Sequence, residues 1–208
     1  SQLIHLHIHM LFPTRFPGEV LRRMHGGALV FTALGLVNGR DDDALARLQL
    51  AALRRKYYQW ATTRPMACFT ARILADYLGL EPMALKSDPP HPQEVLVPAD
   101  RLIDTLLRVW RDPDADALTP HLLAICDLHT HHAYTGANSH LREFSNAMWT
   151  RVPIAALLVF KLRAMLGLAS PTVDHPLMDS VLGTLPGSTK PVPDPLLERA
   201  RARMGQDG

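Results

Sequence analysis

The sequence predicts an all-α protein, an irregular array of about seven helices with a short N-terminal β-strand and a proline-rich C-terminal arm. Apolar residues recur at helical spacing through most of the chain, while strict alternation is confined to residues 4–12. Most of the 17 prolines fall at the starts of periodic runs or in two stretches around 87–98 and 171–195. At 208 residues and 47% hydrophobic composition, the chain can build a sizeable core and is read as a single helical domain over 1–208.

Residues 1–13 form the strand: Ile4, Leu6, Ile8, Met10 and Phe12 alternate with His5, His7 and His9, and Pro13 and Pro17 end the run. A lone strand needs a partner, so pairing with a second copy of the chain into a homodimer is one expectation. The first helical half covers 18–80. Its first helix spans about 18–37, nearly uncharged after His25, and stops at Asn38-Gly39. Asp41-Asp42-Asp43 opens a second helix that runs to about Trp60, with Leu45, Leu48 and Ala52 on one face. A third begins at Pro65 and ends at Gly79, with Phe69, Ile73 and Tyr77 spaced i, i+4, i+8.

Four prolines make 87–98 a linker. The second helical half, 99–168, begins with a helix from Ala99 to Trp110 whose Leu102, Ile103, Leu106, Leu107 and Trp110 form a core-facing stripe. Thr119-Pro120 reads as a cap and first-turn proline for a fifth helix, carrying Leu122, Ile125, Cys126, His129 and Ala133 on one face. A sixth runs from Pro153 to Gly167, and 169–208 is an extended arm with a short helix after Asp194.

An internal echo predicts two related helical hairpins. Pro65 and Pro153, like Gly79 and Gly167, are 88 residues apart, with Leu74/Leu162, Leu78/Leu166 and Leu80/Leu168 in register. Asp43-Ala-Leu45 answers Asp116-Ala-Leu118 at an offset of 73. The 15-residue difference between these offsets falls around Thr135 to Thr150, and insertions in helical repeats tend to lie on a binding face.

Charge narrows the partners. With 22 basic and 20 acidic side chains interspersed, net +2, no broad phosphate-binding field is expected, and nucleic acid is not the expected partner. The longest uncharged apolar run, Gly26 to Asn38, falls short of the ~20 residues that span a bilayer. No signal-peptide pattern opens the chain, so the expected setting is cytoplasmic, without membrane association. Cys68 and Cys126 lie in apolar surroundings and read as buried free thiols of a reducing compartment, with a disulfide left open.

Chemistry concentrates in histidines. Seven of eleven fall in His5-Leu-His7-Ile-His9 and in the stretch that carries His129, His131, His132 and His140. Asp127-Leu-His129-Thr-His131 resembles the opening metal motif of PHP and amidohydrolase-type enzymes, where a strand aims residues i and i+2 the same way. A helix instead turns His129 and His131 about 200° apart, and too little chain follows for a (β/α) barrel. A helical metal site would use His129 with His132, completed by His140 and Glu143, giving a metal-dependent hydrolase as the alternative function. The plainer reading puts His129 in the core and His131 in water.

No catalytic residue is expected: Gly-x-Ser-x-Gly, a glycine-rich phosphate loop, Cys-x-x-Cys and His-Glu-x-x-His are all missing from the sequence. Gly26-Gly27 and Gly35 inside the first helix read as close-packing positions. No cofactor is expected. The segment Thr135 to Trp149 mixes hydrogen-bonding and aromatic residues in the manner of a contact surface. The competing reading is an ordinary loop with Phe144 and Trp149 tucked inward.

The helical layout, and the run Pro153-Ile…Phe160-Lys-Leu-Arg163…Leu166-Gly-Leu168…Val173-Asp-His-Pro-Leu-Met178…Leu182-Gly-Thr-Leu-Pro186…Pro193-Asp-Pro-Leu-Leu197, resemble the helical immunity proteins of bacterial polymorphic-toxin and type VI secretion systems. The resemblance covers mainly residues 115–200 and implies a cytoplasmic antitoxin that sequesters a cognate toxin protein without catalysis or cofactor. It carries no residue-level site. The sequence places the expected contacts at His131, Tyr134, Asn138, His140, Arg142 and Glu143.

Overall fold

In the computed structural model, the described residues are 32–39, 65–81, 97–133 and 150–187, with isolated positions Val30, Ala46, Leu50, Phe144, Pro195 and Arg199. The expected strand at 1–13, most of the second helix and the linker up to residue 96 lie outside them. Every regular element among the described residues is helical.

Residues 32–37 are helical, and Thr32, Ala33, Leu36 and Val37 are buried, as expected of a segment without charge. At its end Asn38 donates both its backbone N and Nδ2 to Leu34 O (3.0 and 2.7 Å). Gly35 departs from the close-packing expectation: a Cβ there would have nothing within 4 Å. In the second helix the described buried positions are Ala46 and Leu50, one turn apart; the expected Leu45, Leu48 and Ala52 are not among the described residues.

Four complete α-helices follow: α1 (Pro65–Tyr77), α2 (Val97–Val109), α3 (Thr119–His132) and α4 (Ile154–Met165). α1 packs on α2, α2 on α3, α3 on α4, and α4 returns to α1, closing a ring. Each helix supplies the face its residue spacing requires. α2 is amphipathic: Ile103, Leu106 and Trp110 point inward at i, i+3, i+7, while Arg101, Asp104 and Arg108 are exposed. α3 buries Leu122, Ile125, Cys126 and His129, the expected face. α4 is buried all round from Ile154 to Val159, and each of its large side chains contributes about 1.5–3 kcal/mol of burial free energy.

Two helix starts differ from expectation. α2 begins at Val97 rather than Ala99, because Pro98 falls in the first turn, where its missing N–H leaves no hydrogen bond unmade. Thr119 is not the cap of α3. A 3₁₀ turn at Asp116–Leu118 leads straight into the helix, Leu118 takes the cap position, and no side chain caps it.

The ends of α1 and α4 share three hydrogen bonds at the 88-residue offset. Leu78 N donates to Leu74 O, Gly79 N to Asp76 O and Leu80 N to Ala75 O. Leu166 N donates to Leu162 O, Gly167 N to Ala164 O and Leu168 N to Arg163 O. Gly79 and Gly167 hold the left-handed conformation that this ending needs (φ 63° and 73°). Gly39 holds it too (φ 77°), so the shared cap is good helix termination and does not by itself establish a duplication.

One polar knot ties the ends of three helices. Arg163 of α4 is fully buried, and its guanidinium is satisfied by carbonyls. Nη1 donates to Trp110 O (2.7 Å) and Asp112 O (2.8 Å), just past α2. Nε donates to Ala169 O (2.8 Å), which Nη2 also reaches. Burial lowers the Arg163 pKa and the nearby Asp112 carboxylate opposes that shift. Beside it, Asp76 at the end of α1 accepts from Trp110 Nε1 (2.8 Å) and Arg111 Nε (2.9 Å).

The proline-rich arm lies against this ring in its described part: Pro171, Val173 and Leu177 are buried, and Val173 and Leu177 join the hydrophobic core.

Candidate functional site

α3 places the histidine-rich motif on a helix, so its members part company. At about 100° per residue, His129 turns inward and His131 outward. His129 is 1% exposed and stacks on Phe144, ring centroids 3.9 Å apart and planes 15° from parallel. His131 is exposed, and its Nδ1 lies 2.7 Å from Asp127 O. A carbonyl oxygen only accepts, so Nδ1 carries the proton in this contact.

Asp127 holds a second histidine. Its Oδ1 lies 3.3 Å from Nε2 of His175 in the arm, while His175 Nδ1 accepts the Leu177 backbone N–H at 3.0 Å. Nδ1 is therefore the lone-pair nitrogen and Nε2–H donates to Asp127. With both ring nitrogens engaged, His175 has no lone pair left to act as a general base. It fastens the arm to α3.

Neither cysteine is in a disulfide, and both Cys68 and Cys126 are buried. Burial first, and then the Asp127 carboxylate, push the Cys126 thiol up to about 12, which leaves no thiolate at neutral pH. Among the described residues no group of three or more His, Cys, Asp or Glu side chains is placed to hold a metal ion. Nor is any described helix long and apolar enough to cross a membrane.

Of the residues expected to contact a partner, His131 is at the surface of α3. Tyr134, Asn138, His140, Arg142 and Glu143 lie outside the described residues, as does the His132 side chain. Phe144 is 1% exposed and so sits inward, as the ordinary-loop reading has it. The Asp127–His175 pairing was not anticipated. The two residues are 48 positions apart, and no local spacing links them.

The chain matches no family model, no curated protein and no solved structure.

Proposed function

We propose that this chain is a non-enzymatic binding protein, an immunity protein that neutralises a cognate bacterial toxin by direct protein–protein contact in the cytoplasm. The observation that carries the reading is the split of the histidine motif. His129 is committed to a ring stack in the core, and His131 is delivered to the surface where α3 leads into residues 134–149. That segment holds the other proposed contacts, Tyr134, Asn138, His140, Arg142 and Glu143. A polar, aromatic segment that follows a well-packed helix in the sequence suits recognition of a protein surface.

The competing metal-dependent hydrolase needs His129 as a ligand together with His132 and His140. The burial of His129 against Phe144 speaks against it.

Two measurements test the proposal. The chain should bind the secreted effector encoded beside its gene and restore growth of cells expressing that effector. Alanine at His131, Tyr134, Arg142 and Glu143 together should abolish both effects. Wild-type chain that neither binds nor protects would overturn the reading, and so would stoichiometric zinc, manganese or iron in untagged protein.

A further inference from the structure

Among the described residues the exposed large hydrophobics are Val181 (89% exposed), Leu182 (46%) and Leu166. Scattered exposed apolar side chains need no explanation, but Val181 and Leu182 are adjacent and sit on a turn braced from several directions. The 3₁₀ turn Val181–Gly183 begins at Ser180, whose Oγ accepts from Leu182 N at 3.2 Å. Gly183 N donates to Ser180 O (2.8 Å), and Thr184 Oγ1 donates to Val181 O (3.1 Å). Gly183 is buried so tightly that a Cβ would lie 2.6 Å from Met178 Cα. Met178 N in turn bonds His175 O (2.7 Å), and His175 is fastened to Asp127 of α3. The turn thus hangs, link by link, from the helix that presents His131.

The surroundings have a charge signature. Between residues 169 and 187 the chain carries Asp174 and Asp179, both exposed, and no lysine or arginine. In a chain of 22 basic and 20 acidic residues, that is a locally acidic stretch around an apolar tip.

We infer that the Ser180–Thr184 turn is a preformed apolar plug that docks into an apolar pocket with a basic rim on the partner protein. This rests on the reading that the chain binds a toxin protein, and it names the anchor and the partner's complementary chemistry. A braced turn loses little conformational freedom on docking, so the burial of Val181 is not offset by ordering the loop. The Asp174 and Asp179 carboxylates steer a basic rim into register.

The test is titration calorimetry of wild type, Val181→Asp, Val181→Ala, Gly183→Ala and Asp179→Lys against the effector encoded beside the gene, with thermal melts of each variant. Val181 is exposed, so both substitutions there should leave the melting temperature unchanged. Val181→Asp should weaken binding by at least about tenfold, the loss expected when a buried apolar anchor becomes a charge. Gly183→Ala displaces the tip without altering its surface chemistry and should also weaken binding. Asp179→Lys should weaken binding and flatten its salt dependence. Wild type and Val181→Asp binding equally well would overturn the plug and leave the immunity reading standing. No binding by wild type would overturn that reading and the plug with it. Self-association of wild type that is lost in Val181→Asp would make the occupant a second copy, overturning the assignment to a partner's pocket.

Discussion

Cys126 shows how far an environment can silence a reactive group. Its thiol, closed in by α3 and its neighbours, is raised from 9.0 to about 12, burial acting first and the adjacent Asp127 carboxylate second. The folded protein then keeps a proton that the unfolded chain releases above pH 9, so stability is fully present below that point and falls as pH rises towards 12. Comparing wild type with Cys126→Ala isolates the effect. The stability difference between them should be constant below pH 9 and shrink above it, by up to about 1.4 kcal/mol per pH unit. A difference that is flat across the range in urea titrations would contradict the buried thiol. A disulfide reagent at pH 8 should find Cys126 only after unfolding. His129, three residues on, is the same lesson in a polar residue: a helix face decides whether an imidazole is chemistry or core.

At the scale of the element, the helices end for reasons that two substitutions can separate. Gly167 closes α4 at φ 73°, where a Cβ is strained, so Gly167→Ala should cost about 1 kcal/mol. Gly35 lies within a helical segment with nothing within 4 Å of where a Cβ would stand, so Gly35→Ala should instead add up to about 1 kcal/mol. Paired thermal melts check both, and equal shifts of the same sign would refute the argument. Much of this level was legible in the residues. The i, i+4, i+8 spacing of Phe69, Ile73 and Tyr77, the stripe through Ile103, Leu106 and Trp110, and the rotation that separates His129 from His131 are all local, and helix geometry converts them directly into faces. The starts of α2 and α3 were less legible, because a proline is tolerated in a first turn and a 3₁₀ turn can replace a side-chain cap.

At the scale of the molecule, what spacing could not reveal is what joins distant segments. No local spacing singles out Arg163, yet it is the buried cation that binds the Trp110, Asp112 and Ala169 carbonyls. His175 likewise becomes meaningful only when the arm is laid against Asp127. Arg163→Met would leave those carbonyls without their donor and should destabilise the protein by about 3 kcal/mol or more in urea denaturation. Arg111→Met, at a half-exposed ion pair with Asp76, should cost about 1 kcal/mol or less. Equal losses would show that the buried cation has no special place in the fold.

The ring of helices has a consequence for how the protein is made. It closes through contact between α1 and α4, yet 77 positions separate Tyr77 from Ile154. At roughly 5–20 residues per second, α1 emerges from the ribosome about 4 to 15 s before α4 does. Throughout that interval α1, whose Phe69, Ile73 and Leu74 are fully buried in the finished protein, lacks one of the helices it packs against. A nascent chain arrested between these helices should therefore recruit holding chaperones, and release them once Met165 has emerged from the ribosome.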